Sequence, residues 1–187
     1  MSSLNQIISS DLDDLILVDP DDQDIGTMSK RDCHRDAGSL HRAFSVFIFN
    51  SAGDVLLQQR SDQKSLWPLY WSNACCSHPR AGENSQQAAH RRIKQELGIN
   101  VELTYLYKFQ YQAHYEQVGS EHELCWVWIG FAEAADVIPN TNEIVNWRFF
   151  PKTELDAELL NNPAQYTPWM KMEWQRILSD HSEQLRQ

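Results

Sequence analysis

A mixed α/β fold is what this sequence predicts, and three observations carry it. Apolar runs with a period of two flank a glycine-containing turn just after residue 50. A run with helical spacing between residues 84 and 98 has a capping signature at its start and Gly98 at its end. A closing run with helical spacing begins at Pro168. At 187 residues, 42% of them hydrophobic and with seven Trp, six Tyr and seven Phe, the chain can bury a core without a disulfide or a structural metal. One domain over residues 1–187 is expected, with an N-terminal segment free to move.

Taken in order, residues 15–18 read as an opening strand, and the acidic cluster from Asp19 to Asp24 as a solvated turn. Residues 43–50 and 55–59 form a predicted hairpin around Ser51-Ala-Gly-Asp54, where the glycine supplies positive φ. From Ser61 to Gly82 periodicity is lost among Pro68, Pro79 and several serines, so this stretch reads as an irregular loop. Asn84 with Gln87 makes a capping box for a helix that buries Ala88, Ala89, Ile93 and Leu97 and stops at Gly98.

Further along, Tyr105, Tyr107, Phe109 and Tyr111 recur at every second position. Cys125, Val127 and Ile129 alternate with Trp126 and Trp128, as in strands largely covered on both faces. Residues 144–150 predict another strand, and residues 152–161 a short helix after Pro151. Pro168 sits in the first turn of a helix over residues 169–185. The chain has no internal repeat and no low-complexity segment.

The formal net charge of -10, with no Lys/Arg-rich stretch, disfavours a nucleic-acid partner, which needs a basic face. No window is long and uncharged enough to span a bilayer, and the segment after Met1 has neither the basic start nor the apolar run of a signal peptide. A cytoplasmic protein with no membrane partner is expected. In such a compartment the four cysteines read as free thiols.

The chemistry concentrates in a few places. Cys76 and His78 lie in Trp71-Ser-Asn-Ala-Cys-Cys-Ser-His-Pro79, and Glu121-His-Glu123 follows further on. With His34 and His41 the donors become three imidazoles and two carboxylates, a set that suits one divalent metal beside an acid and a base. Each residue alone has a plainer reading. A cysteine is usually a small buried hydrophobe, which is favoured for Cys33, Cys75 and Cys125, and a histidine is often a surface or satisfied core residue. Glu121 and Glu123, two apart, share one strand face, where a cation would remove their repulsion.

Lys30, Arg60 and Lys64 are ordinary solvated charges unless the substrate is an anion, which this acidic protein must attract with local positive charge. Trp169 is either core packing or a π face for a transient cation, worth about 2 kcal/mol when desolvated. Tyr111 is either a strand aromatic or a hydroxyl that orients a carboxylate.

Taken together, Trp71-Ser-Asn-Ala-Cys-Cys-Ser-His-Pro79, Arg91-Arg-Ile-Lys-Gln-Glu-Leu-Gly98, Glu121-His-Glu123 and Thr167-Pro-Trp-Met170 closely resemble type I isopentenyl-diphosphate Δ-isomerase, from about Ile16 to Met170. The resemblance implies a Nudix-like fold, an α+β arrangement with a mixed β-sheet sandwiched between helices. A degenerate Nudix box overlays Ser77, Glu83, Arg91, Ile93, Glu96, Gly98 and Ile99. It departs from the hydrolase pattern at Ser77, Arg92 and Gln95, and the last two positions lack metal-binding carboxylates.

By this similarity His34, His41, His78, Glu121 and Glu123 hold one divalent metal, with Mn²⁺, Zn²⁺ and Fe²⁺ all suited to the donors. Glu96 helps bind a Mg²⁺ bridging to the substrate diphosphate, which Lys30, Arg60, Lys64 and Arg92 neutralise. The implied reaction interconverts isopentenyl and dimethylallyl diphosphate through a tertiary carbocation. Cys76 and Glu123 exchange protons from opposite faces, Tyr111 orients Glu123, and Trp67 and Trp169 line a dry pocket, Trp169 with its π face towards the cation.

The implied partner is a small-molecule prenyl diphosphate; the sequence leaves the oligomeric state, the metal and the order of Cys76 and Glu123 undefined. Two other readings compete. One is a Nudix-type diphosphate hydrolase, and the other a noncatalytic metal-stabilised binding domain, which would have no cavity beside Cys76.

Overall fold

The computed structural model of the protein describes residues 8–185, so part of the N-terminal segment expected to move, residues 1–7, lies outside the described residues. Nine strands are found among them: β1 (Asp14–Val18), β2 (Asp24–Ser29), β3 (His41–Phe49), β4 (Val55–Arg60), β5 (Trp71–Asn73), β6 (Cys75–Ser77), β7 (Thr104–Tyr115), β8 (Gly119–Phe131) and β9 (Ile144–Phe150). They form one mixed sheet with β3 at its hub. Four helices accompany it: α1 (Lys30–Cys33), α2 (Ser85–Leu97), α3 (Lys152–Asn161) and α4 (Pro168–Asp180).

The pleat of β3 explains the layering. Alternate side chains leave opposite faces of a strand, so Ala43, Phe47 and Phe49 join one core with Leu155 of α3 and Trp174 and Ile177 of α4. Phe44, Val46 and Ile48 join a second core with Ala88, Ala89, Ile93 and Leu97 of α2. The sheet is thus packed between helices on both faces, the α+β layering of a Nudix-like fold.

Helix α2 begins and ends as its sequence predicts. The Asn84 side chain accepts from Gln87 N, Gln87 returns a bond to the Asn84 backbone, and Gly98 adopts φ 72° as the left-handed cap. Loss of the Asn84 cap would cost about 1 kcal/mol.

Several expectations are corrected. The 43–59 hairpin is joined at one pair, Phe49 with Val55, after which β4 leaves to pair with β5 and β9 while β3 pairs with β6 and β8. The stretch read as an irregular loop contains β5 and β6, and Cys76 is a strand residue opposite Ser45. Three-residue strands held by distant partners leave no periodic signal. In β7 the register shifts between Tyr105 and Tyr107, which leaves Tyr105 exposed beside Trp126 and Trp128 while Tyr107 and Tyr111 are buried, so β7 is covered less fully than expected.

β2, a largely exposed edge strand that takes in Asp24 from the expected turn, and the single turn α1 also went unanticipated. The last helix stops at Asp180, and a 3-10 turn over Ser182–Leu185 completes the run.

Candidate active site

One face of the sheet assembles the site through register alone. In the parallel β3–β8 pair His41 stands opposite Glu123, and in the antiparallel β7–β8 pair Tyr111 also stands opposite Glu123. Strand β6 sets Cys76 opposite Ser45. Period-two alternation then brings His41 and Ser45, Cys76 and His78, Glu121 and Glu123, and Tyr111 to the same side. His34 follows α1, and its carbonyl accepts from Ser120 N at 2.9 Å, tying it to the start of β8. A Cβ on Gly119 would lie 2.5 Å from that carbonyl, so only glycine permits the approach.

The three imidazoles converge, with ring centroids 4.9 to 5.6 Å apart. One donor atom from each of His34, His41, His78 and Glu121 lies within 4.8 Å of the others. His41 Nδ1 is 2.8 Å from the Ser39 carbonyl, which assigns its proton to Nδ1 and leaves the Nε2 lone pair facing the cluster. His34 Nε2, His41 Nε2 and Glu121 Oε2 are buried without a hydrogen-bond partner, although His34 Nε2 is 2.9 Å from Glu121 Oε2. Buried donors left unsatisfied together fit a divalent cation, since such groups are costly to leave unpaired.

Burial and the neighbouring His78 lower His41 to a pKa of about 4, and burial lowers His78 further below its ordinary range. Both are therefore neutral ligand-type imidazoles at pH 7. Burial opposes ionisation of Glu121, but His34 beside it, together with His78 and His41, holds this carboxyl below its usual range.

Glu123 joins the cluster at its edge, with Oε1 3.0 Å from His78 Nε2 and 3.7 Å from His41 Nε2. Tyr111 donates its hydroxyl to Glu123 Oε2 at 2.6 Å. Burial and the charge on Glu121 push Glu123 up to about 7. Cys76 opens into the same cavity, lined also by His34, His78, Tyr111, Glu121, Glu123 and Trp169. Its thiol donates to Asn73 Oδ1 at 2.7 Å and its sulfur accepts the Trp169 indole N–H at 3.0 Å. Burial and the Glu173 carboxyl push Cys76 up to about 12, so it carries its proton at neutral pH. The cavity beside Cys76 removes the ground for a closed, purely structural metal domain.

Four cations also line the cavity: Lys30, Arg60, Lys64 and Arg92. Burial, then the charges of Lys64, Arg92 and Arg60, lower Lys30 to about 8 against the opposing pull of Glu121. Lys64 and Arg92 are paired with Glu143 and Glu96, while Lys30 and Arg60 add further positive charge to the same cavity, a gathering of cations that favours an anion. Arg60 also donates to the Leu66 and Trp67 carbonyls at 3.0 Å and so fixes a turn in which Trp67 has φ 47°.

Three placements differ from expectation. Glu96 does not line the cavity: Arg92 Nη2 lies 2.5 Å from its Oε1 and Gln58 donates to its Oε2 at 3.3 Å, so a Mg²⁺ there requires the Arg92–Glu96 pair to part. Trp67 packs edge-on behind Trp169, centroids 5.2 Å apart, and is not a lining residue. Trp169 presents its N–H to Cys76, while its ring face carries the Arg60 guanidinium 5.4 Å from the centroid.

The sequence reading passed over Asn73, Ser45, Glu143 and Glu173. Glu143, 3% exposed, pairs closely with Lys64 and lies 3.7 Å from Arg92. Asn73, between Trp71 and Cys76, carried a usable signal as a polar residue in the cysteine run. Glu143 and Glu173 lie in unrelated segments and carried none.

The NUDIX domain family model matches residues 39–170. Isopentenyl-diphosphate Delta-isomerase 1 of Photorhabdus laumondii is 43% identical over 176 residues, covering 93% of this chain and 99% of its own. The isopentenyl-diphosphate Delta-isomerase of Halorhodospira halophila is 38% identical over 161 residues, covering 86% of this chain and 92% of its own. Among solved structures, a Deinococcus radiodurans protein superposes with a TM-score of 0.71 at 20% identity, covering 88% of this chain and 98% of its own. A MutT protein from Methanosarcina mazei gives 0.60 at 16%, covering 73% and 91%. Those two likenesses speak for the fold. With the family model spanning most of the chain and the relatives aligned nearly end to end, this protein belongs to the NUDIX domain family and to the isopentenyl-diphosphate Delta-isomerases.

Proposed function

We infer that this protein interconverts isopentenyl and dimethylallyl diphosphate by adding a proton at the terminal alkene carbon and removing one from C2. The observation that carries the reading is that the Cys76 thiol and the Glu123 carboxyl open into one cavity that Lys30, Arg60, Lys64 and Arg92 also line. A hydrocarbon with a diphosphate at one end matches that combination of proton carriers and cations.

In this reading the cations hold the diphosphate, charge-assisted bonds being the strong ones. The substrate's short hydrocarbon then lies between sulfur and carboxylate, near-attack placement that can supply several kcal/mol of the barrier. Cys76, protonated at neutral pH, gives its proton to the alkene in the forward direction, and Glu123 removes a proton from C2 of the tertiary cation. The reverse reaction exchanges the roles. Tyr111 orients Glu123, and Trp169 steadies the sulfur that has lost its proton. Trp67 backs Trp169 and helps keep water from the cation, capture of which would give an alcohol.

His34, His41, His78, Glu121 and Glu123 would hold one divalent metal, which when bound supplies positive charge that lowers the basicity of Glu123 and fixes its orientation. Mn²⁺, Zn²⁺ and Fe²⁺ all suit these donors. Arg92 and Gln95, standing where the hydrolase pattern has carboxylates, weigh against diphosphate hydrolysis.

Manganese-loaded protein incubated with isopentenyl diphosphate in D₂O tests the reading. Dimethylallyl diphosphate carrying deuterium is expected, and Cys76→Ala and Glu123→Gln should each abolish it while remaining folded. Release of phosphate without isomerised product, or near-native turnover in either variant, would overturn it.

A further inference from the structure

Near Cys76, and not among the residues that line the cavity, lies a buried acid that the reaction above does not use. Glu173 of α4 is 0% exposed. Its Oε1 is 3.5 Å from Cys125 Sγ, and its Oε2 is buried without a hydrogen-bond partner. The groups facing it are Ser45 from β3 and Cys125 from β8, with the Glu123 charge felt from further off; none is a cation. From β7, the Tyr107 hydroxyl donates to the Glu173 backbone carbonyl, and the Arg176 guanidinium lies over the Tyr107 ring, 4.0 Å from its centroid. Ser45 stands at the junction, its hydroxyl 3.5 Å from both Cys76 Sγ and Cys125 Sγ. A carboxylate with no counter-ion in such a place is costly, whereas the acid form is tolerated and carries an O–H that needs an acceptor.

We propose that Glu173 is a positioning residue for Cys76, a neutral carboxylic acid whose O–H engages the Ser45 hydroxyl and turns that hydroxyl's own proton towards Cys76 Sγ. The proposal rests on the isomerase reading. No proton leaves Glu173; only the direction of the bonds is set. Once Cys76 has given up its proton, the sulfur is then met by the Trp169 N–H at 3.0 Å, the Ser45 O–H at 3.5 Å and the more distant Ser72 O–H at 3.8 Å. Burial pushes Glu173 up to about 8, so the acid form prevails at neutral pH. If Glu173 ionises, Ser45 turns its proton back to the carboxylate and the sulfur faces a negative charge instead.

Two variants of the manganese-loaded protein test this. Glu173→Gln keeps a donor but cannot ionise, and Glu173→Leu keeps the bulk without a donor. At pH 7 the Gln variant is expected within about twofold of wild-type kcat. The Leu variant should lose about tenfold in kcat, the effect of one hydrogen bond, with KM unchanged because the cations are untouched. Between pH 7 and 9 wild-type kcat should fall in a step that Glu173→Gln lacks, and a merely structural side chain would not produce that difference. Alkylation of Cys76 by iodoacetamide, followed by mass spectrometry, reads the same contact without turnover. It should be slowest in the Leu variant and, above pH 8, slower in wild type than in the Gln variant.

Equal alkylation rates in all three proteins, or superimposable pH profiles for wild type and Glu173→Gln, would overturn the proposal. If Glu173→Leu does not fold, the comparison of wild type with Glu173→Gln decides alone. A wild-type protein that forms no dimethylallyl diphosphate would instead remove the isomerase reading.

Discussion

The indole N–H of Trp169 meets the sulfur of Cys76 at 3.0 Å, and the thiol proton in turn points at Asn73 Oδ1, 2.7 Å away. Trp169 comes from the first turn of α4 and Cys76 from β6, so a helix packed on the sheet supplies a donor to a thiol that sheet register has placed.

Trp169→Phe should therefore act on the chemical step. It removes a donor that matters most when the sulfur is charged, worth about 1.5–3 kcal/mol, and so should lower kcat by about 10- to 100-fold. KM should move far less, because the cation set is left in place. Steady-state kinetics with an unfolding curve as control would show it, and equal kcat in the two proteins would contradict the hydrogen-bond role.

The metal cluster predicts a binding defect separable from turnover. Glu121→Gln removes a donor among three imidazoles and should weaken divalent-ion binding by more than about 100-fold, beyond the about 10- to 100-fold typical of losing an outer-shell partner. Metal content after dialysis against Mn²⁺ buffers, read by mass spectrometry, checks it. Retention equal to wild type would show that the cluster is not the binding site.

Lys30 gives the diphosphate side its own pH dependence. Its pKa is lowered to about 8 by burial and by neighbouring cations, so it carries its charge below that pH and loses it as pH rises through 8. Affinity for inorganic pyrophosphate should fall over that interval, and Lys30→Arg, which stays charged, should flatten the decline. Calorimetric titration at pH 7 and pH 9 distinguishes the outcomes; parallel declines would exclude Lys30 as the titrating group.

Gly119 tests how closely the site depends on backbone approach. A methyl group at 119 would press on the His34 carbonyl at 2.5 Å, and relieving it should cost about 1–3 kcal/mol and displace His34 from the cluster. Gly119→Ala should lower the unfolding midpoint and reduce the stabilisation that added Mn²⁺ provides. An unchanged response to metal would mean that His34 keeps its place despite the shift.

The parts of this protein that are readable in its sequence are those determined by near neighbours. The capping box at Asn84 and Gln87, the Gly98 stop and the strand over Ile144–Phe150 depend on residues a few positions apart, and the structure matches them. The run around Cys76 and the pair Glu121 and Glu123 likewise stand out by residue type. The placement of both glutamates on one face follows from the two-residue repeat alone.

Tertiary structure decided everything that needs a partner from elsewhere in the chain. That Cys76 lies on a strand opposite Ser45, that His41 and Tyr111 both stand opposite Glu123, and that Arg92 covers Glu96 all follow from contacts between distant segments. The bulge that turns Tyr105 outward and the burial of Glu173 near the thiol are of the same kind. Strand pairing and helix docking bring together residues many positions apart, and the free energy that selects one register over another is the burial shared by both partners. No single segment holds that information, so the sequence by itself determined which chemical groups are present and the folded sheet decided which of them meet.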